Sequence, residues 1–315
     1  MTLFSLFRGT DKSEQSEPPV DPQLVGRYCR MLTDEPDLET LASTWDELER
    51  RMTIVPAGCT HLAPVSVGTS PDAPTTEVQQ IAVEAFYIDR YATTNDDFAR
   101  FVDDGGYRNP DWWPQEALPS LLAFVDRTGH PGPMFWSQCR PPADRGQHPV
   151  VGICWYEAIA YARWSGKRLL SPAEWQWATG WSFAGGPHAE AKYPWGNTFD
   201  PQRANTWSSG IGDTVPVDEY YDGTTPNGVY QLVGNVWEWV AGDFGAAVAS
   251  SQEHVFFDSP PAEIRGGAFD TYLETQASCS FRSCQSRLTR GSNIGIRCCI
   301  SVEELPSPPD PTAYI

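Results

Sequence analysis

The chain has no long apolar run. None of its 315 residues sits in a stretch approaching the roughly 18–20 apolar residues that a spanning helix needs, so no membrane segment is expected. The opening MTLFSLFRGT carries only a short apolar piece interrupted by Arg8, without a small-residue cleavage site, and does not read as a secretory leader. With neither feature, a cytoplasmic location is expected, where the eight cysteines would be reduced thiols. Positive charge is also scarce. Lys and Arg number 22 against 41 Asp and Glu, a formal net charge of −19. Such a surface repels phosphate backbones, which argues against general nucleic-acid binding. No CxxC pair with zinc spacing occurs, and Cys298 and Cys299 are adjacent, an arrangement that seldom forms a bond. The five histidines, His61, His130, His148, His188 and His254, are too scattered for an HxxxHxE iron motif.

What is abundant is turn-forming and aromatic. There are 26 Gly, 28 Pro and 13 Trp, so a loop-rich domain around a tryptophan core is expected. Residues 1–22 are polar and read as disordered. Residues 23–51 form a helical prefix: Leu24, Val25, Tyr28, Met31 and Leu32, then, beyond Pro36, Leu38, Leu41, Trp45 and Leu48 recur near helical spacing. From Met52 the texture changes to short strands, MTIVPAG and IAVEAFYIDRYATT. TNDDFARFVDDGG predicts a helix capped by Thr94 and stopped at Gly105–Gly106. HPVVGICW reads as a strand, followed by a helix over YEAIAYARWSGK. SPAEWQWATG predicts a further helix, with Ser171 and Glu174 as a capping box and Pro172 at its first position. No helix is expected after residue 181. The main domain spans 52–305, and 306–315 is a Pro-rich tail. Backbone this irregular must satisfy its buried polar groups with side chains or ions.

Six segments taken together, FYIDRYATTNDDFARFV, HPVVGICWYEAIAYARWSGKRLLSPAEWQWATG, YPWGN, VYQLVGNVWEWVAGDF, RGGAF and NIGIR, resemble the formylglycine-generating, or sulfatase-modifying factor, family. They follow the family's order between residues 52 and 300. The resemblance implies an α+β fold of the formylglycine-generating-enzyme-like, C-type-lectin-like kind, with little regular structure and structural calcium. It implies one calcium site at Gln231, Gly234, Val236 and Glu238, and a second at Asn205 and Thr206 with Asp213. Calcium takes six to eight oxygens at about 2.3–2.6 Å, which turns and carboxylates supply. Glu238 lies between Trp237 and Trp239, and a carboxylate among indoles needs a partner. That partner is either calcium or an arginine such as Arg265 or Arg297. Gln231 is longer than the Asn or Asp usual at its position.

Members of the family that oxidise a sulfatase cysteine hold copper through two cysteines separated by four residues. A soft Cu(I) ion suits two thiolates. Two registers are open here. One places Cys279 at the second copper position and Glu274 or Thr271 at the first, so that one thiol is missing. The other pairs Cys279 with Cys284, which have the required spacing. Ala268 also stands where the family's RGGS motif has a hydroxyl. The candidate pocket residues are Trp237, Asp270, Arg282 and Arg287, and the arginines read either as structural forks or as substrate contacts. Relatives on this fold display the segment between RGG and the closing GFR as a ligand surface, here including Thr271, Tyr272, Ser278 and Ser280. The chain is therefore expected to be a divergent member acting as a binding or accessory module for a protein, peptide or small molecule. The alternative is a copper- or iron-dependent oxidoreductase that uses O2 on a thiol or peptide, with Cys279 and Cys284 as ligands.

Overall fold

Residues 38–62, 78–181, 191–244 and 259–305 are described by a computed structural model. The first half of the expected prefix and the Pro-rich tail lie outside these residues. The second half is α1, Leu38–Arg51. Its Trp45 and Leu48, one turn apart, bury with Met52 and Ile300 against the main domain. Among the described residues no helix is long and apolar enough to cross a membrane.

Three further helices start where side chains satisfy their first amides. α2, Asn95–Asp103, is capped by Thr94, whose hydroxyl accepts from Asp97 N while the Asp97 carboxylate accepts from Thr94 N. α3, Trp155–Trp164, has Glu157 accepting from Cys154 N at 2.8 Å. α4, Pro172–Gly180, has the Ser171–Glu174 capping box. Each closure removes exposed donors from a helix end and fixes where the chain turns in. Phe98 of α2 stacks on Tyr161 of α3, with ring centroids 5.2 Å apart, and Phe101 meets Trp164 edge-on. Trp136, Trp164, Trp175 and Trp239 are fully buried, so the core is built on indoles as expected. Buried indoles need acceptors. Trp136 finds Asn95 Oδ1, and Trp239 finds the Ile153 carbonyl.

The strands are short. β1 (Met52–Val55), β4 (Phe86–Asp89), β10 (Cys298–Ser301) and β5 (Arg168–Leu169) form one antiparallel sheet in that order. β2 (Gly58–Leu62) and β3 (Gln79–Val83) form a separate pair. The third sheet has the order β8–β7–β6–β9, comprising Ser283–Ser286, Pro261–Arg265, Trp237–Asp243 and Ile294–Ile296. β6 runs antiparallel to β7 and parallel to β9, with Glu238 opposite both Arg265 and Gly295. A single residue, Arg297, separates β9 from β10 and so stands at the junction of two sheets.

HPVVGICW is not a strand. Only Pro149 bridges, to Thr94, and Val150 N donates to Thr93 O. Pro149 has no N–H for a ladder, and Gly152 takes φ +74°, outside the extended region. Pro149, Val150, Ile153 and Cys154 are buried all the same, with Val151 and Trp155 half-buried. Hydrophobicity here reports a core crossing without sheet pairing. After residue 181 the described residues hold only short strands and single 3-10 turns, as the sequence predicts.

Candidate functional site

Residues 205–215, 231–238 and 265–271 are tied together: Asn235 bonds Asn205 and Val215, Gly234 N donates to Gly266 O, and Phe269 N to Asn235 O. Glu238 is 1% exposed. Its Oε1 accepts from Arg297 Nε and Nη2 at 2.9 and 2.8 Å, and its Oε2 from Trp175 Nε1 at 2.8 Å. Arg297 also donates to the Asp89 and Tyr230 carbonyls. Of the two partners open to this carboxylate, the structure shows arginine, and of the two arginines it is Arg297. Gln231 Oε1 accepts from Asn235 Nδ2 at 2.7 Å, while its Nε2 donates to the Pro216 and Glu219 carbonyls. The Gly234 carbonyl accepts from Val236 N. Val236 itself is buried.

Asn205 and Thr206 are likewise buried and occupied. Asn205 Nδ2 donates to the Asp213 carbonyl at 2.8 Å, and Ser209 Oγ lies 2.9 Å from Asn205 Oδ1 and 2.8 Å from the Thr206 carbonyl. The Asp213 carboxylate instead accepts from Arg145 Nη2 at 2.7 Å and from Thr214 N. The side-chain oxygens of Glu238, Gln231 and Asn205 thus each already accept from protein donors. Among the described residues no group of three or more His, Cys, Asp or Glu converges into a metal-holding cluster.

Around the thiols, burial is the governing fact. Cys279 is 3% exposed; its amide donates to the Lys192 carbonyl, and its own carbonyl accepts from Arg265 Nη2 at 2.7 Å. Cys284 lies on β8, in register with Glu263 on β7. Burial, and then the Glu263 carboxylate, push the Cys284 thiol up to about 11. Thr271, a possible first copper position, turns its hydroxyl back to accept from Ala268 N. Glu274, the other, is exposed on a 3-10 turn. Neither Thr271 nor Glu274 supplies a thiol.

Glu263 was not singled out from the sequence, yet it organises this region. Buried to 1%, it receives Arg265 Nη1 on Oε1 and both Arg282 Nε and Nη2. Arg265 also donates to Gln176 Oε1 and lies over the Trp175 ring, 5.1 Å from its centroid. Burial lowers its pKa to about 10, against the pull of Glu263. The available signal was the E-x-R spacing in PAEIRGG, which puts both side chains on one face of a strand. Arg282 is thus a structural fork here. Arg287 stacks on Trp155 at 4.6 Å.

The outer rim is aromatic. Trp237 itself belongs to the buried core and packs on the half-buried Phe281, with centroids 6.1 Å apart. Asp270 is exposed and accepts from Asn293 Nδ2 at 2.9 Å, while Asn293 O accepts from Trp237 N. Beyond Asp270, Tyr272 (74% exposed) meets Trp207 (60% exposed) edge to face at 6.2 Å. The bond from Trp207 N to Thr271 O ties their loops together. Leu273 and Ile211 are exposed beside them in sequence. The site thus joins a buried polar network, in which Arg265 Nε alone of that guanidinium's nitrogens lacks a partner, to an open aromatic edge.

Comparison with known proteins agrees with this architecture. Residues 40–302 match the sulfatase-modifying factor enzyme 1-like domain. The chain is 30% identical to a formylglycine-generating enzyme of Thermomonospora curvata, over 80% of this chain and 94% of that one. It is 29% identical to the inactive C-alpha-formylglycine-generating enzyme 2 of Bos taurus, over 83% and 93%. In fold it is similar to PvdO from Pseudomonas aeruginosa, with a TM-score of 0.52 and 21% identity over 80% of this chain and 94% of that one. The chain belongs to the sulfatase-modifying factor enzyme 1-like family, an α+β group whose relatives of this chain include an enzyme and an inactive member.

Proposed function

We propose that this protein is a binding or accessory member of its family, taking a protein, peptide or small-molecule ligand on the rim formed by Trp207, Asp270, Tyr272 and Leu273. The observation that carries this is the exposed Trp207–Tyr272 pair, held by the Trp207–Thr271 backbone bond. Large apolar rings kept in water by a rigid loop fit a contact surface, where aromatic residues supply area at low entropic cost. The interior beside them supports the same role. Ala268 brings no hydroxyl, Cys279 is buried, and Cys284 faces a carboxylate across β7 and β8. The C-x4-C spacing favours a second reading, an O2-using oxidoreductase with copper or iron held at Cys279 and Cys284, acting on a thiol or peptide.

Titration of the reduced protein with Cu(I) against a competing chelator separates the two. No copper retention is expected; tight retention lost in both Cys279→Ser and Cys284→Ser would favour the oxidoreductase. On the binding side, displayed peptides selected against the wild type should lose about tenfold or more in affinity for Trp207→Ala and Tyr272→Ala, as hot-spot aromatics do. Peptides indifferent to both substitutions would place the ligand surface elsewhere.

A further inference from the structure

We propose that the two positions where the family resemblance implies calcium are closed by protein donors, so that the fold is calcium-independent. At the first position Arg297, the arginine of the NIGIR segment, supplies the positive charge. It is fully buried, neutralises Glu238 through Nε and Nη2, and spends its other donor on the Asp89 carbonyl and a further Nη2 bond on that of Tyr230. A guanidinium keeps its proton in proteins, so this charge is permanent. A divalent ion on the same carboxylate would meet a fixed positive charge at close range in a poorly screened interior. Gln231 completes the closure. Its amide nitrogen, a donor, gathers the Pro216 and Glu219 carbonyls that bound the turn. The longer side chain at this position thus reaches over with N–H groups where an acceptor oxygen would serve an ion.

At the second position the closing group is neutral. The Ser209 hydroxyl is the common neighbour of Asn205 Oδ1 and the Thr206 carbonyl, at 2.9 and 2.8 Å, and it accepts from Ile211 N at 3.3 Å. The single hydroxyl proton serves one of these oxygens at a time, and the Thr206 carbonyl also accepts from Ser209 N at 2.9 Å. Asp213, the charged oxygen donor of that set, points to Arg145 instead. No charge remains for calcium to balance at Asn205. Asn235 then links the two turns, bonding Gln231 on one side and Asn205 and Val215 on the other. The loops that carry Trp207 and Trp237 are therefore fixed whatever the free calcium concentration.

Thermal melts of the whole protein in EGTA and in millimolar calcium test this directly. The two Tm values should coincide, and calorimetry should give no saturable calcium heat. Ser209→Ala should lower Tm by about 2–4 °C, the loss of roughly one hydrogen bond in a domain of this size, equally in both buffers. Binding to the native state alone must raise Tm. A calcium-dependent rise in the wild type, abolished in Glu238→Gln or Asn205→Ala, would overturn the proposal. An unchanged Tm in Ser209→Ala would remove Ser209 from it.

Discussion

Arg297 ties the Glu238 carboxylate to the Asp89 and Tyr230 carbonyls. Breaking a buried pair strands the partner charge, which costs about 3–5 kcal/mol. Arg297→Met should therefore destabilise strongly in urea melts, and Glu238→Gln less so, because it keeps an acceptor for Trp175 Nε1. Equal losses in the two variants would mean that packing, and not charge, dominates. His148 gives a pH-dependent case. Its pKa is lowered by burial first and by the neighbouring Arg145 second, while its Nδ1 sits 3.0 Å from Thr214 Oγ1. The unfolded chain thus takes the proton more readily than the folded one. This costs nothing above the ordinary histidine range and is a growing penalty as pH falls below about 6.5. Denaturation midpoints measured from neutral to mildly acid pH should fall with pH, and His148→Gln should flatten that fall.

At the scale of elements, the helices were the most legible part of the sequence, because their signals are local. Thr94 with Asp97 and Ser171 with Glu174 each close within four residues: the Ser171 box and the Thr94 cap form as expected, and Asp97 makes the latter a box as well. Removing one cap in Ser171→Ala should cost about 1 kcal/mol, visible as a modest fall in Tm. A loss beyond about 2 kcal/mol would show that Glu174, which also grips Arg168 through both oxygens, depends on the cap for its position. Sheet membership was less legible. HPVVGICW has strand composition, but Pro149 and Gly152 deny it a ladder, and what it packs against comes from far along the chain. The site divides in the same way. Glu238 as a paired carboxylate could be read from its two flanking indoles. Glu263 was legible only through the E-x-R spacing to Arg265, because its other partner, Arg282, lies nineteen residues away on the paired strand's side.

Taken whole, the molecule combines a net charge of −19 with an interior whose ionic groups are closely matched. Glu157–Arg290, Glu238–Arg297 and Glu263 with Arg265 and Arg282 each bury a carboxylate with its counter-ion. The excess acidity therefore lies outside these pairs, where salt screens it. Family and fold were readable because motifs hundreds of residues apart kept their order. The function of the rim was not, since Trp207 and Tyr272 meet only in three dimensions. β10, the last strand among the described residues, lies between β4 and β5 rather than at an edge. During synthesis its two neighbours emerge long before it does, and they have no partner to share until residues 298–301 follow. Closure of this sheet thus waits for residues 298–301, and a ribosome-bound chain stopped before residue 298 should remain open to protease and to chaperones.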